Sequence, residues 1–401
     1  MIPSMHKVFL FIIAVSVTSK IAAQGCSDAG ICTLGALKQT SLKTQSDSVF
    51  RRFSIGLNHS MGIGEVSTNV HVSSLTARVF LTKNTQVQVN MPLQIASGKL
   101  GTVAGLGDLT IGFSQVLSQN KDWKYTLQLG AKIATNPSNL ATKANLRPEF
   151  QNVNKQINDL IKDLLNSPIP LQLDLLKSQV DITYPMVYQS SRGTYDFMGG
   201  LSVEYKTWQL GLGYQVPINT NNENDVDNNK YIDSVKLPGN LPLPVSFDLS
   251  YNYIYGLEAY NEYFSSRKLN RKADFMYRIQ KSFAVGNSTK IQVGLLGIFH
   301  MGNDIITSPK IPEIPLLNTA KLLLPANIKS QIDNLFGSVE REIEVVGSKG
   351  TTLNLTAGLQ HHFAKRLQFN FDLGFPILTR SAQPDGLKRS FVGSVGVECA
   401  F

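Results

Sequence analysis

The chain has 401 residues, of which only 17% are charged, with 31 glycines and a formal net charge of +9. Mean hydropathy is near zero (−0.05), and no apolar run reaches the roughly 18 residues that a spanning helix needs, which excludes a helical membrane protein. The basic residues are scattered, with no Lys/Arg stripe interleaved with aromatics, so nucleic-acid binding has no footprint here.

The one long apolar run, 8–17, follows Met5, His6 and Lys7 and ends in Ile21-Ala22-Ala23-Gln24. A basic start, an apolar core and small residues before a cut describe a secretory signal, placed at 1–24 with cleavage after Gln24 or Ala23. Loss of Lys7 and Lys20 takes the formal charge from +9 down by two to +7. The residues before Cys26, Ala23-Gln24-Gly25, lack the aliphatic-small-small pattern of a lipid-attachment site. Cys26 and Cys32 lie close together in a chain bound for a compartment where disulfides persist, so a local bridge between them is one option. Cys399 is then the odd cysteine. Residues 25–49 are polar, small and aperiodic, and read as a segment either free in the periplasm or tucked into a lumen.

From Phe50 onward the pattern has period two. Phe53, Ile55 and Leu57 alternate with Ser54, Gly56 and Asn58, ahead of a Gly-rich loop at 61–64. A noisier strand follows within 70–82. Val87, Val89, Met91, Leu93 and Ile95 alternate with polar residues, then 96–106 reads as a loop and 108–117 as a strand. Trp123, Tyr125, Leu127, Leu129, Ala131 and Ile133 come next. After an insertion at 135–194, strands resume at 195–206 and 208–218. An Asn/Asp-rich loop at 219–240 precedes an aromatic strand at 245–255, and 274–283 and 290–301 form a hairpin. A second insertion, 302–350, leads to strands at 353–363 and 366–377. The last strand, 389–401, places Phe391, Val395, Val397, Cys399 and Phe401 on one face and Glu398 on the other.

Short connections at 83–84, 118–122, 205–207 and 364–365 alternate with long ones. One rim of tight turns, one rim of long loops and strands of about ten residues describe an antiparallel transmembrane β-barrel over 50–401. Thirteen strands can be counted, and a bacterial barrel needs an even number. Either a hidden partner for 245–255 makes fourteen, the preferred reading, or 245–255 lies outside the wall and makes twelve.

The two insertions resemble each other. Phe150, Val153, Ile157, Leu160, Ile161, Leu164 and Leu165 recur at helical spacing in the first. Ile328, Ile332, Leu335, Phe336 and Val339 do so in the second. Each predicts an amphipathic helix with a wide apolar stripe at the extracellular mouth. The stripes can pack as a lid, collect hydrophobic solutes, or do both. Inward parity gives a mixed lumen: Asp108, Lys124, Lys132, Asp196, Glu204, Asp248, Asp274, Arg278, Lys290, His300, His362, Arg366, Asp372 and Glu398. Such a balance braces a barrel through ion pairs, while Arg278, Arg366 and Lys124 offer an alternative role in holding a carboxylate head group.

The run Gly105-Leu106-Gly107-Asp108-Leu109-Thr110-Ile111-Gly112 resembles the Gly-x-Gly-Asp-Leu-x-x-Gly motif of outer-membrane proteins of the phenol-degradation meta pathway. Gly193-Thr194-Tyr195-Asp196-Phe197 resembles a second motif of that group. Those proteins are similar to FadL-type channels for long-chain fatty acids and aromatic hydrocarbons, which carry helical extracellular insertions and an N-terminal hatch. The resemblance implies passive uptake of small hydrophobic compounds across the outer membrane of a Gram-negative bacterium. Gly25-Cys26-Ser27-Asp28-Ala29-Gly30 departs from the expected hatch sequence.

The rival readings are a structural or adhesive barrel without transport, and an outer-membrane hydrolase. A hydrolase needs a Ser-His pair with an orienting group on one exterior face. His361 falls on the apolar face near a turn, His362 and His300 point inward, and no histidine sits beside a Gly-x-Ser-x-Gly motif. No His/Cys/Asp/Glu spacing suggests a metal. The sequence thus predicts a non-enzymatic channel without cofactor. Its expected partners are outer-membrane lipids, the barrel-assembly machinery through the C-terminal strand, and a hydrophobic small molecule, with the chain acting as a monomer.

Overall fold

A computed structural model describes residues 23–24, 52–145, 148, 151, 179–218, 268–307, 342–364, 366–386 and 388–401. Twelve antiparallel strands form the wall. They are β1 (Phe53–Ile63), β2 (Asn69–Phe80), β3 (Thr85–Gly98), β4 (Leu109–Gln119), β5 (Trp123–Ile133) and β6 (Tyr195–Tyr205), then β7 (Trp208–Ile218), β8 (Asp274–Val285), β9 (Thr289–His300), β10 (Gly350–Ala364), β11 (Leu367–Leu378) and β12 (Val392–Ala400). Each pairs with its sequence neighbours, and β12 returns to β1, with Ser54 opposite Ala400 and Gly62 opposite Val392. The ring has no free edge, the condition under which a sheet can cross hydrocarbon with its backbone satisfied.

The wall is inside out. Ile55, Leu57, Leu129, Phe197, Leu201, Leu210, Leu212, Val293, Leu355, Phe371, Val395 and Val397 are exposed. Gln88, Asn90, Ser114, Thr126, Gln128, Gln209, Gln280, Gln292, Asn354, Gln360 and Gln368 are buried. A water-soluble sheet would reverse this arrangement, because burying apolar area is what drives its packing. Here the apolar face is the one a bilayer would cover.

Turn chemistry sets the short-turn rim. Asn120 Oδ1 accepts the amides of Asp122 (3.0 Å) and Trp123 (2.7 Å), the side-chain mimic of a turn that asparagine favours. Gly286 takes φ +67 in the β8–β9 turn, where a side chain would be strained.

The structure corrects several expectations. The wall closes with twelve strands rather than the preferred fourteen, because β7 pairs directly with β8, Trp208 opposite Lys281 and Gln215 opposite Asp274. No strand fits between them, and 245–255 lies outside the described residues. The expected loop at 96–106 is a hairpin: β3 runs to Gly98 and the strand Gly101–Leu106 folds back along it. Likewise β1 continues through the expected loop at 61–64 to Ile63, so Gly64–Thr68 alone joins it to β2 and breaks the strict alternation of connection lengths. Where described, the insertions begin and end as β-structure. Ala141–Asn145 pairs with Gln179–Thr183, and Lys268–Asn270, Ile305–Thr307 and Glu342–Glu344 form a three-stranded sheet. The helices expected over 150–165 and 328–339, the Cys26–Cys32 bridge, the signal and the 25–49 segment fall outside the described residues. Ala23–Gln24 pairs with Lys388–Arg389.

Candidate functional site

Two loop segments fold back into the barrel at the long-loop rim. The first, 184–193, joins the first insertion to β6. Its Tyr184, Val187 and Tyr188 pack with Val70, Val72 and Ala96 of the wall in a buried apolar cluster. Here wall polarity inverts: Val70 and Val72 point inward because a protein segment, not water, meets them. Glycines make the seat. A Cβ on Gly98 would stand 2.5 Å from the Tyr188 hydroxyl, one on Gly64 2.7 Å from Val187, and one on Gly105 2.5 Å from Ser190 Oγ. Gln94 Nε2 donates to the Gln189 carbonyl (2.9 Å), and Gln189 donates in turn to the carbonyls of Leu140 (3.0 Å) and Tyr184 (2.8 Å).

The two motifs singled out in the sequence meet at the base of this segment. Asp108 Oδ2 accepts the Arg192 amide (3.4 Å) and lies 3.7 Å from Lys132 Nζ. Lys132 also reaches Asp196 Oδ2 (3.0 Å). Asp196 in turn accepts from the Thr194 hydroxyl (2.6 Å) and from Gln215. Gly193, at φ +64, supplies the left-handed turn from the inserted segment into β6. The glycines and aspartates of both motifs therefore hold an inserted segment to the wall.

The second segment, 380–386, comes from the β11–β12 loop and completes a closed ring of charge. Asp385 accepts from Arg380 (3.0 Å) and Arg271 (3.3 Å). Arg271 also pairs with Asp274. Asp274 meets His300 Nδ1 (2.6 Å), and His300 Nε2 meets Asp304 (2.8 Å). Asp304 faces Arg380 at 4.0 Å. All six side chains are buried. Three carboxylates face two guanidiniums, with the His300 imidazole held between Asp274 and Asp304. Burial pushes the Asp385 carboxyl up, but Arg380, Arg271 and Arg192 outweigh it and hold the group below the ordinary carboxylate range. Burial likewise opposes the Arg271 charge, while Asp274, Asp385, Asp196 and Asp304 raise it above its usual value. Val187 and Met186 lie against Gly386, where φ is +68, so the ring also clamps the first segment.

The predicted lumenal residues divide between the two ends. Asp108 and Asp196 belong to the seat just described. Glu398 accepts from Ser54 Oγ (2.8 Å) and pairs with Arg78. Lys124 reaches Glu204 at 2.9 Å. Arg278 is buried, Asp372 and His362 are half-buried, and Ser394 Oγ donates to Asp372 (3.5 Å). Arg366 stands apart, exposed in the short turn between β10 and β11, and so does not join Arg278 and Lys124 in one site. The predicted hydrophobic-binding residues Phe150, Val153, Ile157, Leu160, Leu164, Ile328, Ile332, Leu335, Phe336 and Val339 fall outside the described residues. The sequence reading missed Arg78, Arg192, Arg271, Asp304, Arg380 and Asp385. All but Arg78 lie in or beside loops, where period two gives no facing direction.

The reading also passed over the outer face of β1 and β2. His59, His71 and Ser73 share the outward parity of Phe53, Ile55, Leu57 and Met61. Ser73 Oγ lies 2.9 Å from His59 Nδ1, and His59 Nε2 lies 3.4 Å from His71 Nδ1. The two imidazoles stack with centroids 5.5 Å apart.

No family model and no curated protein matches the sequence. Among solved structures, the chain is similar to the NanC porin (6% identity, TM-score 0.38, 87% of this chain and 100% of that one). It is also similar to the KdgM porin (7%, 0.33, 87% and 99%) and to the translocator domain of the autotransporter NalP from Neisseria meningitidis (6%, 0.35, 93% and 97%). All are barrels of the outer-membrane type. At these values the likeness decides nothing finer, and the fold class, a closed antiparallel twelve-strand barrel with one extra strand, rests on the sheet itself.

Proposed function

We propose that this chain is an outer-membrane channel for the passive uptake of small hydrophobic compounds in a Gram-negative bacterium, without cofactor or catalytic step in its lumen. The observation that carries the channel reading is the separation of wall and obstruction. The inner face is lined largely by polar side chains, and the chain that enters the long-loop mouth comes from loops. In this reading the long-loop rim faces outward and the short-turn rim faces the periplasm. The hydrophobic substrate class rests on the apolar stripes at 150–165 and 328–339 and on the resemblance of the Gly105–Gly112 and Gly193–Phe197 runs to FadL-like proteins. Outer-membrane lipids cover the wall, the barrel functions as a monomer, and β12 ending beside Phe401 serves the assembly machinery. The Phe401 ring lies 6.2 Å from that of Phe53 at the seam.

Charging both stripes (Leu160→Asp with Leu335→Asp) should abolish uptake of fatty acids or alkylbenzenes while the barrel still assembles. Unchanged uptake would sink the hydrophobic reading. The loop segments packed in the mouth also favour a second reading, a structural barrel without transport. For that reading, liposomes carrying the protein would show neither uptake nor conductance.

A further inference from the structure

On the lipid-facing side of β1 and β2, His59, His71 and Ser73 form a polar island among apolar neighbours. The exposed or half-exposed neighbours in register are Leu57, Met61, Leu75, Leu93, Ile95 and Val395. Ionisable side chains facing hydrocarbon are costly and point to function by default.

The order of the three groups is chemical. Ser73 Oγ is within hydrogen-bond reach of one nitrogen of His59, and the other nitrogen of His59 faces His71. One tautomer satisfies both contacts: the Ser73 hydroxyl donates to His59 Nδ1, and His59 Nε2–H donates to His71 Nδ1. A hydroxyl on a base that is itself oriented by a third group is the arrangement that activates a serine nucleophile, and it is recognised by geometry rather than by motif. The depth fits a membrane substrate. His71 and Ser73 are the third and fifth residues of β2, which starts at Asn69 on the long-loop rim. At about 3.3 Å per residue they lie within about 7–13 Å of that rim along the strand, near the level where lipid ester carbonyls meet the hydrocarbon.

We propose that Ser73, His59 and His71 form an acyl-transfer site on the outer wall, acting on acyl esters of membrane lipids. Ser73 Oγ attacks the ester carbonyl carbon as its proton passes to His59 Nδ1. The ester C–O bond breaks, and that proton leaves with the alcohol. Water, deprotonated by His59, then attacks the acyl-serine, releasing the carboxylic acid and restoring the Ser73 hydroxyl. His71 touches no reacting atom and is a positioning residue. Ser73 sits in ladders on both sides, opposite His59 and Leu93, so the nearby amides are spent on backbone pairing. Turnover is accordingly slow, and acylation of Ser73 is the step to read.

The test uses the full-length protein folded in detergent micelles, with an alkyl fluorophosphonate and a p-nitrophenyl ester of a medium-chain fatty acid as probes. Mass spectrometry should find the phosphonyl adduct on Ser73, and Ser73→Ala and His59→Ala should reduce labelling and ester cleavage to background. His71→Leu should weaken both, and His71→Gln, whose carbonyl can accept from His59, should restore them. Heat-modifiable gel mobility verifies that each variant is a folded barrel. An unlabelled Ser73 in the folded parent, or labelling unchanged in His59→Ala, overturns the proposal. So does a loss of self-association in His59→Leu/His71→Leu without any Ser73 adduct, which would make the island a contact between copies.

Discussion

The two ends of this barrel are built differently. At the short-turn end the described lumen is braced by separate pairs, Arg78–Glu398 and Lys124–Glu204, each joining strands of the wall. At the long-loop end, two loop segments fold back into the barrel, sit in glycine seats and help close a six-membered ring of charge. Separate pairs can be lost one at a time. A ring cannot, because each member that leaves strands two buried neighbours, and stranding a buried charge costs more than the pair gains. The wall therefore tolerates variation at one end, and its mouth is cooperative at the other.

The contrast can be broken in stages. Replacing 380–386 by a flexible Gly/Ser linker of equal length removes Arg380 and Asp385 from the ring, and with them the clamp on 184–193. It should give the largest effect, a jump in ion conductance across planar bilayers with wall assembly intact, and a barrel that stays closed would show that these segments do not close it. Asp385→Asn leaves Arg271 and Arg380 buried without their shared carboxylate, and should cost about 3–5 kcal/mol in urea unfolding. Gly98→Val should cost about 1–3 kcal/mol through overpacking against Tyr188, with much of the loss recovered in Gly98→Val/Tyr188→Ala. Smallest is Lys124→Gln, below about 1 kcal/mol because both partners keep some solvent contact.

Acid provides a further probe of the ring. The Asp385 carboxyl is held below its ordinary value, so its contribution is fully present above about pH 4, the unfolded value. That contribution is lost as pH falls through the folded value. Conductance through this group should therefore stay constant from neutral to about pH 4 and rise only below it, and Asp385→Asn should abolish that acid response.

Much of the wall was legible because a barrel strand has only two faces. Once Phe197, Leu201 and Val203 were assigned outward, Asp196 and Glu204 had to point inward, and a slip by one residue would reverse every assignment. The noise in β2 had a structural cause: Val70 and Val72 face inward toward Tyr188 while His71 and Ser73 face lipid, the reverse of the rule. The alternation read for β1 stopped at Asn58, ahead of the expected loop at 61–64, and so left out His59 and its pairing with Ser73. The strand count failed for a different reason. The 245–255 segment alternates as a wall strand does, and only the direct β7–β8 register shows that the ring closes without it.

By itself the sequence determined the period, the turns and therefore the facing of nearly every wall residue, since those follow from local geometry. Tertiary structure decided which loops return into the mouth. Arg271, Asp304, Arg380 and Asp385 lie outside the strands and far apart along the chain, and no periodicity relates them. They meet because buried charges require partners, and only the closed barrel brings those partners within reach.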